Sequence, residues 1–448
     1  MILWKNRKEK IERSKEIIEQ EKQKIKEEKI KMKQEKKQKK QSIFKKIFTK
    51  KQNIEKLTIK EQIFSMIYFE ILGFIFCLLL LFILSGGKNY IKLYLELNKL
   101  INVYDTVTSN YYGEIDKETM IDDAIDSMMK EAGDSYTTYT NKKETREFFE
   151  NIDSTYEGIG YTVATNHNKE IYVVSIFDNS PAKEAGIKEN DIILKIDEKD
   201  FKGKNSEDMA NYIKNSNKTK IKLLIKRNEE ELNITINRKK VEIPTVSGEV
   251  INQADKKIGY IQISIFSAVT YDQFKTKLQE LEKEKIQGLI IDVRNNTGGY
   301  LSSVTDIASI FLKKGDVIYK LEEADKIEKI KDKTRESRNY PIAVLMNAAS
   351  ASASEILAAA MKESYHGIVV GTYSYGKGTV QKTKKLSDGS MIKYTIQKWL
   401  TPDGNWINEK GLEPTEFVEL KSVDDMDNQT NSDNQLNKAL ELINKKIK

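Results

Sequence analysis

The chain has 448 residues, of which 32% are charged and 39% hydrophobic, and this length predicts about two to four domains. Residues 1–60 hold 22 lysines and arginines against 9 glutamates, so the net charge of +7 reflects this segment and says little about the rest. A single cysteine excludes an intrachain disulfide framework and a zinc-thiolate site; with only two histidines, we expect no metal ion and no cofactor.

Residues 1–62 are predicted to form a basic cytoplasmic arm of helical character. Apolar residues recur every seven positions from Ile11 to Met32, but the companion positions of the heptad are polar. A weak coiled coil, a solvated helix and a basic helix attracted to anionic lipid all stay open. No nucleic-acid partner is expected.

Residues 63–86 are predicted to form a transmembrane helix. The run 63–84 carries a single charge, Glu70, and at 1.5 Å per residue it is about 33 Å long, enough to cross the hydrocarbon core of a bilayer. Because most lysines precede the run, we expect a single-pass protein of the cell membrane with a cytoplasmic N-terminus, which makes segments 151–240 and 241–421 extracytoplasmic. A buried helix of a soluble domain is the alternative.

Residues 88–150 are predicted to form a helical module, and residues 151–240 change to short β-patterned runs separated by turns. Within the second segment, Gly-Ile-Gly-Tyr at 158–161 is followed by Ser-Pro-Ala-Lys-Glu-Ala-Gly-Ile at 180–187 and by Asp-Ile-Ile at 191–193. This order resembles a PDZ domain of the kind found in bacterial proteases, although Gly-Ile-Gly alone is no more than a flexible turn.

In PDZ domains, a Gly-apolar-Gly loop presents backbone N–H groups to the C-terminal carboxylate of a peptide, which adds a strand beside the loop. Glycines suit this loop because the backbone must approach its ligand closely. The residues that the resemblance assigns to substrate C-terminus binding are Gly158, Ile159, Gly160 and Tyr161.

Residues 241–421 alternate between strand and helix patterns, which predicts an α/β domain. Buried-strand patterns lie at 288–293 and 342–346, and helix patterns lie at 302–312 and 354–363. Residues 422–448 are predicted to form a polar tail that ends in a short helix.

Three motifs in the α/β part combine nucleophiles, glycines and a lysine. Asp-Val-Arg-Asn-Asn-Thr-Gly-Gly at 292–299 places a glycine pair after a buried strand, where backbone amides can form a pocket for negative charge. Ser-Ala-Ser-Ala-Ser-Glu at 350–355 places three serines at a predicted helix N-terminus, beside free N–H groups. Tyr-Gly-Lys-Gly-Thr-Val-Gln at 375–381 would place Lys377, Thr379 and Gln381 on one face if it is extended.

A serine nucleophile needs a base, and histidine is scarce in this chain, so Lys377 is a candidate for that role. Burial must then lower the lysine pKa by several units. A helix cap made by the serines, together with a lysine at a solvated loop tip, is the structural alternative.

Taken together, the motifs resemble those of the carboxy-terminal processing (tail-specific) serine proteases. The family pattern has a DxRxNxGG segment, an S-A-S-A-S-E segment and an F-G-K-G-T-V-Q segment, and all three occur here in that order. Thr297 stands where proline is common, and Tyr375 stands where phenylalanine is usual. For residues 95–420 the resemblance implies an N-terminal helical module, a mostly β PDZ domain and an α/β crotonase-like catalytic core.

The resemblance also implies the roles of individual residues. The family's lysine lies 25 residues after its nucleophile, which makes Ser352 the nucleophile and Lys377 the base, with Gln381 positioning the lysine. The backbone N–H groups of the implied oxyanion hole are those of Ala353 and of either Gly298 or Gly299.

The implied function is that of a membrane-anchored serine endopeptidase that recognises substrate C-termini through its PDZ domain and cleaves peptide bonds by a Ser/Lys mechanism. Its expected partners are polypeptides with free C-termini, and a homo-oligomer is left open.

Two other functions are weighed against this one. Residues 371–377 reproduce the GxxxxGK spacing of a nucleotide-binding phosphate loop, but Gly378 stands where a hydroxyl should bind magnesium, and a strand-like segment follows. A catalytically inactive, membrane-tethered PDZ scaffold is the second alternative, against which the intact Ser352, Lys377 and Gln381 argue.

Overall fold

The computed structural model describes residues 31–32, 34–42, 59–84, 90–214, 216–253, 255–324, 326–421 and 433–447. The chain divides into two compact units, Met1–Ile115 and Asp116–Lys448. Residues 34–42 are helical, whereas most of the predicted arm and most of the polar part of the predicted tail lie outside the described residues. The long helices of the first unit are α1 (Ile59–Leu84) and α2 (Tyr90–Asn110).

Helix α1 covers most of the segment predicted to cross a membrane, but the prediction of a transmembrane helix is not supported. Across the described ranges, no helix has both the length and the apolar character that a membrane crossing requires. The last two residues of the predicted span, 85 and 86, lie outside those ranges.

The second unit begins with two capped helices that flank a short strand. The Asp116 carboxylate accepts hydrogen bonds from the N–H groups of Glu118 and Thr119 at 3.0 and 3.1 Å, and Asn141 forms a capping box with Glu144. The predicted helical module is therefore helical for the most part, but the sequence does not predict its strand. The elements are α3 (Lys117–Lys130), β1 (Thr138–Thr140), α4 (Lys142–Asp153) and β2 (Thr155–Gly158).

The segment that resembles a PDZ domain forms a sheet with the order β3-β4-β5-β7-β8, and β6 pairs with β5. Alternate residues of its strands face one apolar core that includes Val173, Ile221 and Ile225. Strand β3 lies at the edge of this sheet, and α6 begins beside it, because Ser206 N–H donates to Thr165 Oγ1 at 3.1 Å. The elements are β3 (Tyr161–Thr165), β4 (Ile171–Ile176), α5 (Pro181–Glu184), β5 (Ile192–Ile196), β6 (Lys199–Asp200), α6 (Ser206–Lys214), β7 (Lys220–Arg227), β8 (Glu230–Asn237) and β9 (Lys239–Glu242).

The remaining residues form the α/β core that the sequence predicts. Its elements are β10 (Val246–Gln253), β11 (Lys256–Ile263), α7 (Thr270–Lys283), β12 (Gly288–Asp292), α8 (Leu301–Ser309), β13 (Val317–Glu323), β14 (Lys326–Lys331), β15 (Ile342–Met346), α9 (Ala353–Ala359) with a π-helical turn (Ala360–Ser364), β16 (Ile368–Gly371), β17 (Thr379–Lys385), β18 (Met391–Leu400), β19 (Glu416–Phe417) and α10 (Asn434–Lys446).

The central sheet has the order β10-β11-β12-β15-β16-β19 and is parallel except for the β10–β11 pair. Every residue of β12 and β15 is buried, as expected of strands covered on both faces. Leu289 and Ile291 face the core shared with α7, α8 and α9, whereas Ile290 faces the core shared with α10. The helix predicted near the C-terminus therefore packs on the central sheet of the α/β core.

A second sheet has the order β1-β18-β13-β14, and β17 also pairs with β18. Strand β1 contributes residues from the N-terminal part of the unit, with Thr138 opposite Lys393. Gln381 on β17 lies opposite Thr395 on β18. This sheet, which the sequence analysis does not predict, carries the lysine motif.

Candidate active site

The three serines of the 350–355 segment have different surroundings. Ser350 Oγ and Ser354 Oγ each donate a 2.8 Å hydrogen bond to a backbone carbonyl of the 292–299 segment, those of Val293 and Asn296. Both outer serines are fully buried, whereas Ser352 lines a cavity. The outer serines thus join two motifs, and the middle serine is the one open to a substrate.

Ser352 lies directly before α9 with φ +54° and ψ −114°, a conformation that L-residues rarely adopt. Such strain persists only where the surrounding structure enforces it, and it is typical of functional sites. The nearby hydrogen bonds of Ser350 and Ser354 supply that restraint.

The cavity at Ser352 has a volume of about 580 Å³ and also contains Lys377 and Gln381. The structure therefore brings together the three side chains that the sequence analysis assigns to catalysis. Other residues that line it are Phe148, Phe149, Asn151, Ile152, Ile265, Thr297, Gly298, Gly299, Tyr300, Leu301, Ser302, Ile356, Thr379, Val380, Thr383, Lys393 and Trp399.

Burial lowers the pKa of Lys377 from 10.5 to about 8, and the positive charge of Lys393 lowers it as well. The negative charges of Glu355 and Asp134 act in the opposite direction and raise this pKa. At pH 7 about one tenth of such an amine is neutral and able to accept a proton. Its Nζ lies 4.6 Å from the centroid of the Tyr136 ring, a cation–π contact. Trp399 Nε1 donates to the Lys377 carbonyl at 2.6 Å and fixes its backbone.

In the part of the chain that the structure describes, no hydrogen bond joins Lys377 Nζ to Ser352 Oγ or to Gln381. Catalytic hydrogen bonds often form only when a substrate binds.

Glu355 is a buried carboxylate that the sequence analysis did not single out. It accepts hydrogen bonds from Ser352 N–H at 2.7 Å, Gly376 N–H at 2.7 Å, Lys377 N–H at 3.0 Å and Ser374 Oγ at 2.5 Å. Burial raises the pKa of Glu355, and these four donors oppose that effect. Glu355 therefore connects the serine segment to the lysine segment through hydrogen bonds. Its position three residues after a serine at a predicted helix N-terminus is the one feature of the sequence that could have indicated a structural role for it.

The same contacts argue against a phosphate loop. The N–H groups of Gly376 and Lys377 already face the Glu355 carboxylate, where a phosphate would have to bind. Strand β17, rather than a helix, follows Lys377.

Gly298 packs directly against Ser352. A Cβ atom on Gly298 would lie 2.8 Å from Ser352 Cβ, and its φ of +105° also favours glycine. The Gly298 N–H donates to Asn296 Oδ1 at 2.8 Å, whereas among the described residues the N–H groups of Gly299 and Ala353 have no acceptor. Of the two predicted glycines, Gly299 thus keeps a donor available for an oxyanion.

Gln381 Nε2 donates to Thr379 Oγ1 at 2.9 Å and to Thr395 Oγ1 at 3.3 Å. Thr379 and Gln381 thus share a face, as the alternation of strand side chains predicts. The lysine and glutamine are surrounded by three residues that lie in no recognised motif: Thr395, Asp134 and Tyr136. Pairing between strands that are distant in the sequence brings these residues to the site, so no short motif shows them.

The loop predicted to bind a substrate C-terminus connects β2 to the edge strand β3. Gly158 ends β2, Tyr161 begins β3, and the Ile159 carbonyl accepts from Ala182 N–H at 2.7 Å. Gly160 has a φ of +84°, and a Cβ there would lie 2.3 Å from Ser180 Cβ. Within the described residues, β3 pairs with β4 alone, so its other edge can accept a peptide strand.

Three protein families match successive parts of the chain. Residues 85–145 match the N-terminal domain of the activating protease CtpB, residues 158–237 match the PDZ domain, and residues 257–418 match peptidase family S41.

The carboxy-terminal processing protease CtpB of Bacillus subtilis (strain 168) is 39% identical over 331 residues, which cover 73% of this chain and 68% of that protein. A probable CtpA-like serine protease of Staphylococcus aureus (strain N315) is 36% identical over 322 residues, which cover 71% of this chain and 64% of that protein. The chain thus spans about two thirds of the length of these relatives.

Among solved structures, the photosystem II D1 C-terminal processing protease is similar with a TM-score of 0.44 and 23% identity, over 75% of this chain and 88% of that one. The sequence identity to the Bacillus subtilis protein, and the share of that protein that is covered, are high enough to place this chain in its family. The chain belongs to the carboxy-terminal processing serine proteases of peptidase family S41, with a PDZ domain and N-terminal helices.

Proposed function

We propose that this chain is an endopeptidase that binds polypeptide C-termini through its PDZ domain and cleaves peptide bonds with Ser352 as nucleophile and Lys377 as base. The main support is the cavity that Ser352, Lys377 and Gln381 share. The pKa of about 8 for Lys377 supports a lysine base, since a neutral amine is available near neutral pH.

In the acylation step, the neutral Lys377 amine takes the Ser352 hydroxyl proton while Oγ forms a bond to the peptide carbonyl carbon. The N–H groups of Ala353 and Gly299 are the donors for the resulting oxyanion. Lys377 then gives its proton to the leaving amine, and the C–N bond breaks. In deacylation, Lys377 takes a proton from water as the water oxygen bonds to the acyl carbon, and it then gives that proton to Ser352 Oγ as the ester C–O bond breaks.

These steps require the Lys377 amine to come within hydrogen-bonding distance of Ser352 Oγ when substrate binds. The free edge of β3 and the 158–161 loop support capture of an extended peptide by its C-terminus. Attachment to the cell membrane and an extracytoplasmic position stay predictions, and a homo-oligomer stays open.

The test compares the parent chain with Ser352→Ala on an unfolded, fluorescein-labelled polypeptide that has an apolar C-terminus. We expect cleavage by the parent, loss of at least about 1,000-fold in the variant, and equal binding of a C-terminal peptide by both. Equal substrate loss in both proteins would contradict the proposal. A parent that binds the peptide and never cuts it would favour the inactive scaffold.

A further inference from the structure

We propose that Asp134 and Thr395 are positioning residues that fix the orientation of the Gln381 side-chain amide, so that its carbonyl oxygen is the atom offered to Lys377. This inference rests on the proposed function, since it assigns Lys377 as the base. It concerns two residues outside all three recognised motifs.

The chain of contacts begins at Asp134, in the turn between α3 and β1. Its carboxylate accepts from Tyr136 N–H at 2.8 Å, Thr137 N–H at 2.9 Å, Thr137 Oγ1 at 2.7 Å and Thr395 Oγ1 at 3.0 Å. Burial opposes ionisation, but the hydrogen bonds prevail and hold the pKa of Asp134 below its ordinary value. An ionised carboxylate only accepts, so the Thr395 hydroxyl must donate to it.

The Thr395 hydroxyl has one proton, and that proton is engaged by Asp134. Toward Gln381 the same oxygen can therefore only accept, and the group facing it must be the amide NH₂. This removes the usual ambiguity between the nitrogen and the oxygen of a glutamine amide. The second amide proton goes to Thr379 Oγ1 at 2.9 Å.

Both protons of the Gln381 amide are thus directed to threonine hydroxyls, and Oε1 has no donor among the described residues. Gln381 lines the same cavity as Lys377, and the lysine becomes an ammonium when it takes the Ser352 proton. A carbonyl oxygen stabilises that ammonium, whereas an NH₂ group in its place would repel it.

The backbone holds these residues in register. Gln381 and Thr395 lie opposite each other on β17 and β18, and Thr395 N–H donates to Thr137 Oγ1 at 3.2 Å. The N-terminal turn is therefore fixed to the strand that orients Gln381.

The pH dependence of cleavage gives a readout that simple destabilisation would not shift. The charged groups acting on the Lys377 amine are Lys393, Glu355 and Asp134, and the Tyr136 ring lies against it. Thr395→Val removes none of these charges. It should release the amide from its fixed orientation, weaken stabilisation of the ammonium and move the acid limb of the kcat profile to lower pH.

The experiment compares Thr395→Val, which keeps the side-chain shape, with Thr395→Ser, which keeps the hydroxyl. We expect Thr395→Val to lower kcat by about 10- to 100-fold with little change in KM, and Thr395→Ser to restore the parental kcat and pH profile. In a Gln381→Leu background, Thr395→Val should cause no additional loss, because its effect passes through the glutamine.

A Thr395→Val enzyme with the parental kcat and pH profile would overturn the inference while leaving the Ser352 mechanism intact. A loss that Thr395→Ser does not restore, or one that adds fully to that of Gln381→Leu, would also overturn it. A parent enzyme that does not cleave at all would refute the proposed function and this inference with it.

Discussion

Replacing Lys377 with methionine should abolish cleavage and yet stabilise the folded protein. The folded state binds the lysine proton with a pKa of about 8, against 10.5 for an ordinary lysine. The two pKa values differ by about 2.5, and each pKa unit corresponds to about 1.4 kcal/mol. The charged lysine therefore lowers the free energy of unfolding by about 3 kcal/mol at pH 7. Methionine has a similar length and no charge, so it avoids that cost.

The sign of the pH dependence follows from the same two values. Between pH 8 and 10.5 the unfolded chain holds the proton and the folded chain does not, so the stability of the lysine protein rises with pH. The gain in unfolding free energy from Lys377→Met therefore has its full value below pH 8 and decreases to about 2 kcal/mol at pH 9. The packing of methionine contributes equally at every pH, so the change with pH isolates the lysine.

The measurement is urea unfolding at pH 7, 8 and 9, followed by tryptophan fluorescence, with Ser352→Ala in both proteins to prevent autolysis. Trp399 is a suitable probe because it is 1% exposed and hydrogen-bonded to the Lys377 carbonyl. Lys382→Met, at an exposed position of β17, is the matched control and should change the unfolding free energy by less than about 0.5 kcal/mol. A difference between Lys377→Met and its parent that is the same at pH 7 and pH 9 would refute the reasoning.

Gly298→Ala should lower kcat by at least about 100-fold while leaving peptide binding by the PDZ domain unchanged, because the new Cβ would meet Ser352 Cβ at 2.8 Å; kinetics within threefold of the parent would contradict the described packing. Lys393→Met should move the acid limb of the kcat/KM profile to higher pH, because removal of the neighbouring positive charge raises the pKa of Lys377. A move of that limb to lower pH would show that Lys393 does not act on Lys377 through charge.

Local signals account for the parts of the fold and site that the sequence predicted. Strand β15 and the part of β12 that precedes Asp292 are continuous apolar runs, and their strand character follows from those residues alone. The segments that carry Ser352 and Lys377 are short motifs, so their chemistry is readable without knowing how the chain folds between them.

The missed features depend on contacts between distant segments. Thr395 and Asp134 are 261 residues apart, and β1 is three residues long, too short to show a strand pattern. Glu355 lies inside a recognised motif, but only its burial and its four donors show that it joins two segments.

Strand β1 has a consequence for the order in which the protein becomes active during its synthesis. Its partner strand β18 spans Met391–Leu400, so Ser352 and Lys377 are both synthesised before the strand that supports Gln381 is complete. Pairings across such sequence distances form late and slowly, since a long loop must close first. Nascent chains are therefore expected to lack a formed active site until the strand that ends at Leu400 has been made.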